Sequence, residues 1–357
     1  MPKYKWMISK VGLFLALVSS GVSASDWQPT VETVTKEVIR PGYAHLASSF
    51  EALGKQADGF CTQPSEASYQ QVQAAWKEAI LAWMGVSWIH FGPISSGSAR
   101  FDIQIWPIRK GITHKKVQSL LANTQLSTED VDKSGVSVRG LTGSEYLLFS
   151  GSGGQLAQYQ DESAKNRCII LGQAIANGHK SALALSKAWQ TEEVISPFKQ
   201  GVDMLDQAKE FESSASIVWN ALLSEIEFIQ LRKLEGPVNP HAKKAKPTQA
   251  ESWRSEHSFN NIKHGLESLK QLYVLGFQKA IASQSAEMNT KVIQGFDQLI
   301  AEVAGFEQPM VLMLKDSSGR DRLKAYDRKV HEFYSFLRND VTPLTGFVLG
   351  FNANDGD

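Results

Sequence analysis

The sequence predicts an all-α protein built from long bundle helices. Apolar residues recur at steps of three and four over most of the chain, two-residue alternation is scarce, and the Gly- and Pro-rich material is confined to a few stretches. Helices with one apolar face bury it by packing on one another, with no need of a sheet.

The elements follow in order. Ser65, after Pro64, has the chemistry of an N-cap, and the run behind it places Val72, Trp76, Ile80, Trp83 and Ser87/Trp88 on one face. A second run opens at Asp161 and passes through Cys168, Leu171 and Ile175 to Leu183 and Leu185. A third carries Ile217, Leu222, Ile226, Ile229 and Leu234. A fourth carries Phe259, Ile262, Leu266, Leu269 and Tyr273, continuing towards Phe277 and Ile281. Further helices fit Val292 to Val303 and Arg322 to Leu337, and the best strand candidate is the short Phe101–Trp106. Between these lie a long loop (Phe91–Gly111), a flexible tip (Ser150–Gly154) and a Pro-rich connector (Gly236–Gln249).

The two halves echo each other. Trp76 begins a run that ends at Gly92-Pro93, and Trp219 begins one that ends at Gly236-Pro237. This suggests two helical bundles divided between Thr191 and Pro197.

The amino terminus reads as a cleavable export signal. Lys3, Lys5 and Lys10 precede the apolar run Val11–Val18, and Val22-Ser23-Ala24 offers small residues for cleavage after Ala24. The apolar run is too short to span a bilayer, for which about 20 residues are needed. The expected mature chain is therefore exported to work outside the cytoplasm, with no membrane span. Removing residues 1–24 takes three Lys and no acid, leaving 34 basic against 37 acidic residues. Such a balance gives no electrostatic case for nucleic acid. The basic run His241–Pro247 reads as a solvated loop.

Cys61 and Cys168 are the two cysteines. In an oxidising compartment an even pair points to a disulfide, two buried free thiols being the other reading.

Catalytic motifs are absent: there is no HExxH, GxSxG, P-loop or GxGxxG. His264 and Glu267 stand at i, i+3, a ligand spacing, but they flank the buried stripe and read as a solvated helix face.

Several segments, in order along the chain, resemble the imelysin-like family. Gly140-Leu141-Thr142-Gly143-Ser144-Glu145, followed by Tyr146-Leu147-Leu148-Phe149, is similar to that family's Gly, any residue, His, two residues, Glu signature and its apolar run. Trp76 to Pro93 with its Phe91-Gly92-Pro93 ending, Trp106-Pro107, and Arg254-Ser255 with Ser258 and Asn261-Ile262 resemble it too. So do Phe60-Cys61, Arg167-Cys168 and the tail Gly350–Asp357.

The resemblance implies two four-helix-bundle-like domains related by a pseudo-symmetric duplication, here residues 25–192 and 193–357. It also implies a periplasmic or outer-surface place and a link to bacterial iron uptake. The family carries a metallopeptidase label, and its signature His and Glu are the proposed metal-linked pair near the interface of the bundles.

Here Thr142 stands at the His position, and a hydroxyl is a poor substitute for imidazole as an iron or zinc ligand. Glu145 is left as the metal candidate, for iron or another divalent ion, unless His90, Asp102 or His257 completes the set. A Glu145 carboxylate among apolar neighbours needs a partner. Arg254 from the other half is the first choice, with Arg139 or Arg100 as alternatives.

The sequence therefore points away from an enzyme. It points to a binding factor whose cleft is lined by Phe91, Gly92, Pro93, Trp106, Gly140, Thr142, Glu145, Arg254 and Ser255. The expected partner is a small ligand or an envelope protein. A metal-dependent peptidase and a structural adaptor are the alternatives.

Overall fold

Every regular element among the described residues is helical, as the three-and-four spacing requires. The computed structural model describes residues 27–151, 155–191 and 207–347. The expected export signal, residues 152–154 of the tip, the expected division near residue 193 and the tail from Gly350 lie outside them.

The first half is organised by the helices Arg40–Thr62, Glu66–Met84, Gly140–Phe149 and Ala164–Ala188. Ser65 caps its helix as expected: its hydroxyl accepts from the Ser68 N–H, and the Ser68 side chain answers the Ser65 N–H. That helix ends at Met84, one turn earlier than the apolar run suggests, and the Trp88 indole then folds back to donate to the Gly85 carbonyl at 3.0 Å. Cys61 and Cys168 are joined, tying the end of Arg40–Thr62 to the start of Ala164–Ala188 across 107 residues. The two helices approach closely further along, where a Cβ on Gly178 would lie 2.4 Å from the Phe50 ring.

The second half is organised by Gln207–Phe228, Ser258–Leu272, Ala286–Ala304 and Ser317–Phe336. Three of these run on through π-helical turns, at Ile229–Glu235, Tyr273–Phe277 and Leu337–Val341. A π-turn absorbs one extra residue without ending the helix. The five-residue step from Ile229 to Leu234, both fully buried, falls in such a turn.

The strand candidate Phe101–Trp106 is corrected. Ala99–Ile103 is a short helix, and Gln104 onwards is extended without a partner strand. The alternation misleads because Asp102 is buried, held by Arg139 at 2.7 Å and the Ser98 hydroxyl at 2.7 Å, whereas Phe101 is exposed.

The halves meet along Glu66–Met84 and Ser258–Leu272, where the Ser268 hydroxyl donates to the Gly85 carbonyl at 2.7 Å. The amino-terminal Gln28–Thr33 packs on the second half: the Thr30 hydroxyl donates to the Gly276 carbonyl, and the Trp27 ring lies tilted against Phe277 and Phe347. The two echo tryptophans take matching parts. The Trp76 indole donates to the Ser144 hydroxyl and the Leu141 carbonyl, and the Trp219 indole to the Thr342 hydroxyl, each deep in its own half.

Candidate functional site

The site is built on a short helix with no solvent face. Gly140–Phe149 is apolar nearly all round and almost wholly buried, Glu145 included. Its glycines are packing requirements. Gly140 has φ +54°, and a Cβ there would lie 2.1 Å from the Ile103 carbonyl oxygen; at Gly143 it would lie 2.1 Å from that of Val138. Only a bare backbone brings the helix this close to its neighbours.

Glu145 is met from the far half by the turn that follows the Pro-rich connector. Ser252 and Glu256 both take positive φ there, and the turn between them aims two backbone N–H groups at the carboxylate. Arg254 N and Ser255 N each donate to Glu145 Oε1 at 3.1 Å. The Ser255 hydroxyl lies 3.0 Å from the same oxygen, its one proton shared with the Ser252 carbonyl. Burial pushes the Glu145 carboxyl above its ordinary range, against the pull of the Arg254 charge and these donors.

The expected Glu145–Arg254 partnership thus exists through the backbone. The Arg254 guanidinium instead lies over Trp253 at 4.4 Å and Tyr146 at 5.4 Å. The alternatives are occupied elsewhere: Arg139 pairs with Asp102, and Arg100 donates to the Ser87 and Ile89 carbonyls.

Thr142 is committed inward as well. Its hydroxyl donates to the Ile105 carbonyl at 3.1 Å and accepts from the Ile105 N–H at 3.0 Å, clamping the strip that leads to Trp106 and Pro107. Trp106 is held edge-on to Phe228 at 5.8 Å. This strip, the Thr142–Glu145 face and the Thr248–Arg254 turn enclose a cavity of ≈ 420 Å³.

Of the expected lining residues, Trp106, Thr142, Glu145 and Arg254 face the cavity. Gly140 and Ser255 stand behind it as supports. Phe91, Gly92 and Pro93 do not belong to the lining. Gly92, at φ +67°, turns the chain beneath Trp189, and Phe91 packs on Trp88 and Trp189.

Two features escaped sequence reasoning. Arg109, Lys110 and Arg232 join Arg254 around the cavity. Beneath its floor lies a buried ion cluster, in which Lys233 Nζ sits 3.6 Å from Glu225 and 3.3 Å from Glu251, with Met84 Sδ at 3.2 Å. Gln104 and Asn261 donate to Glu251 at 3.2 and 3.1 Å. A signal existed: Glu225 interrupts the apolar stripe of Leu222, Ile226 and Ile229.

The metal centre that the resemblance implies finds no donor set. Glu145 Oε1 and the Thr142 hydroxyl are committed to backbone. His90, Asp102 and His257 do not line the cavity; Asp102 is paired with Arg139, and His257 Nδ1 lies 3.1 Å from the Asn260 amide while its Nε2 is buried without a hydrogen-bond partner among the described residues. Among the described residues no group of three or more His, Cys, Asp or Glu could hold a metal ion. His264 and Glu267 are partly exposed and 3.5 Å apart.

Fold and site together define an all-helical protein whose buried signature helix frames a cavity against its other half. A family profile described as Imelysin matches residues 39–335, the greater part of the chain, and the chain belongs to that family. Solved structures similar to it include the following two. An imelysin-like protein from Psychrobacter arcticum 273-4 has 19% identity and a TM-score of 0.77, over 92% of this chain and 98% of its own. A protein described as an iron-regulated protein A precursor, from Parabacteroides distasonis ATCC 8503, has 14% identity and a TM-score of 0.71, over 91% and 97%. At these identities the likeness establishes the fold alone. No curated protein matches the chain. No helix among the described residues is long and apolar enough to cross a membrane.

Proposed function

We propose that the mature chain is a periplasmic, non-catalytic binding factor of the imelysin family, linked to iron uptake. Its ligand enters the cavity between two pseudo-symmetric bundles, residues 25–192 and 193–357. One observation carries this reading: the Thr142 hydroxyl and one carboxylate oxygen of Glu145, the polar groups of the signature, are taken up by backbone groups and so shape the cavity wall. A metallopeptidase needs ligands and a base free to act. The matching indole–hydroxyl bonds of Trp76 and Trp219 support the duplication. The name of the Parabacteroides relative supports the iron link, and the Lys3–Ala24 pattern supports export.

The test is elemental analysis of the purified mature protein, with and without added iron, beside a peptide-cleavage assay with and without chelator. The expected outcome is no stoichiometric metal and no cleavage. Bound metal with chelator-sensitive cleavage, lost in Glu145→Ala, would establish the peptidase instead.

A further inference from the structure

The cavity's charges are unevenly matched. Arg109, Lys110, Arg232 and Arg254 line it, and Glu145 is the sole acid beside them. None of the four cations stands in an ion pair among the described residues. The chain disposes of its other enclosed cations differently: Arg139 meets Asp102, Lys233 meets two carboxylates, and Arg320 is ringed by four backbone carbonyls. Arg254 is the exception among them. Its Nε is buried with no hydrogen-bond partner, while its guanidinium lies over the Trp253 ring, 4.4 Å from its centre.

Part of the remaining wall is apolar. Ile105, Trp106, Pro107, Leu231 and Trp253 face the same space. A volume of ≈ 420 Å³ falls in the range of small-molecule sites, about 300–1,000 Å³. Guanidinium forks match the paired oxygens of carboxylates and phosphates, and flat indole surfaces match a flat apolar body.

We propose that this cavity binds a small organic anion, with two or more carboxylate or phosphate groups on a flat apolar frame. Arg254 anchors it against Trp253, and Arg109, Lys110 and Arg232 close on its outer charges. The proposal rests on the reading of the cleft as a ligand site.

The experiment titrates the full mature protein with benzene-1,3,5-tricarboxylate and with the neutral triamide of the same shape. It is followed by calorimetry and tryptophan fluorescence, with citrate and pyrophosphate as further arms. The tricarboxylate is expected to bind and the triamide to fail. Arg232→Glu and Arg109→Glu should each weaken binding by about ten-fold or more, as the loss of a charge-assisted hydrogen bond implies. Both positions are exposed, so the variants should keep the parent's circular dichroism and melting temperature.

A preference for citrate over pyrophosphate names carboxylate as the recognised group, and the reverse names phosphate. Equal binding of tricarboxylate and triamide, affinity unmoved by both charge reversals, or no anion binding up to roughly millimolar concentration overturns the proposal. Failure of the two readings separates cleanly. Bound metal with chelator-sensitive cleavage removes the non-catalytic reading whatever the titration gives. A metal-free, inactive protein without charge-dependent binding removes only this one.

Discussion

Lys233 and Arg232 are neighbours in sequence and opposites in circumstance. Lys233 is sealed in the interface between Glu225 and Glu251, each of the three side chains about 2–3% exposed. Arg232 lies on the exposed rim of the cavity without an ion-pair partner among the described residues. Gln104 and Ser252 form the floor between the two clusters, facing the cavity above and bonding Glu251 and Asn261 below. The comparison separates two uses of charge in one interface. A charge whose partner is in the chain becomes part of the frame, and one without such a partner is free to take it from solution.

Substitutions can break this contrast. Lys233→Met should have the largest effect, because it leaves two carboxylates buried and unpaired. A loss of about 3–5 kcal/mol in urea unfolding is expected for a broken buried ion pair. Arg232→Ser beside it should change stability by no more than about 0.5 kcal/mol, as for an exposed site. Comparable losses at the two positions would erase the distinction.

Thr142→Val should come next, at about 1–3 kcal/mol, since it strands the N–H and carbonyl of Ile105. Unchanged stability would mean that the clamp on the Trp106 strip carries no weight.

A further expected effect is on pH dependence. His257 ends the turn that presents Arg254, and burial, aided by the Lys77 charge, pulls its imidazole down to about 4. The unfolded chain protonates this group near its ordinary value of about 6.5, well before the folded one does. The unfolded state therefore binds more protons between those values. Stability from His257 is full above the upper one and is lost as pH falls towards the lower. His257→Gln should flatten the melting-temperature profile across that window, and an unchanged slope would show that the group does not contribute.

Much of the molecule was legible in its residues. Spacing located most of the long helices but not Arg40–Thr62, Ser65 announced its cap, and the two cysteines expected to pair do so. The Glu145 partner was legible in part: Arg254-Ser255 arrives as expected, but through its amides. Those amides are aimed by Ser252 and Glu256, non-glycine residues at positive φ, which no local rule would place in such a turn. Phe91-Gly92-Pro93 looked like cleft lining because its residue types suit one, yet the turn at Gly92 carries it to Trp189.

What the sequence by itself determined is the all-helical class, the faces those helices bury, and the membership of Gly140–Glu145 in an imelysin-type signature. Helical periodicity is local, so a face can be read without knowing what covers it. Only the tertiary structure decided that Glu145 is held by amides from 109 and 110 residues away. It alone decided that Thr142 clamps a backbone strip, and that Lys233 is satisfied where Arg232 is not. Such pairings depend on which distant segments cross at a few ångströms, and that distance is set by packing both halves at once.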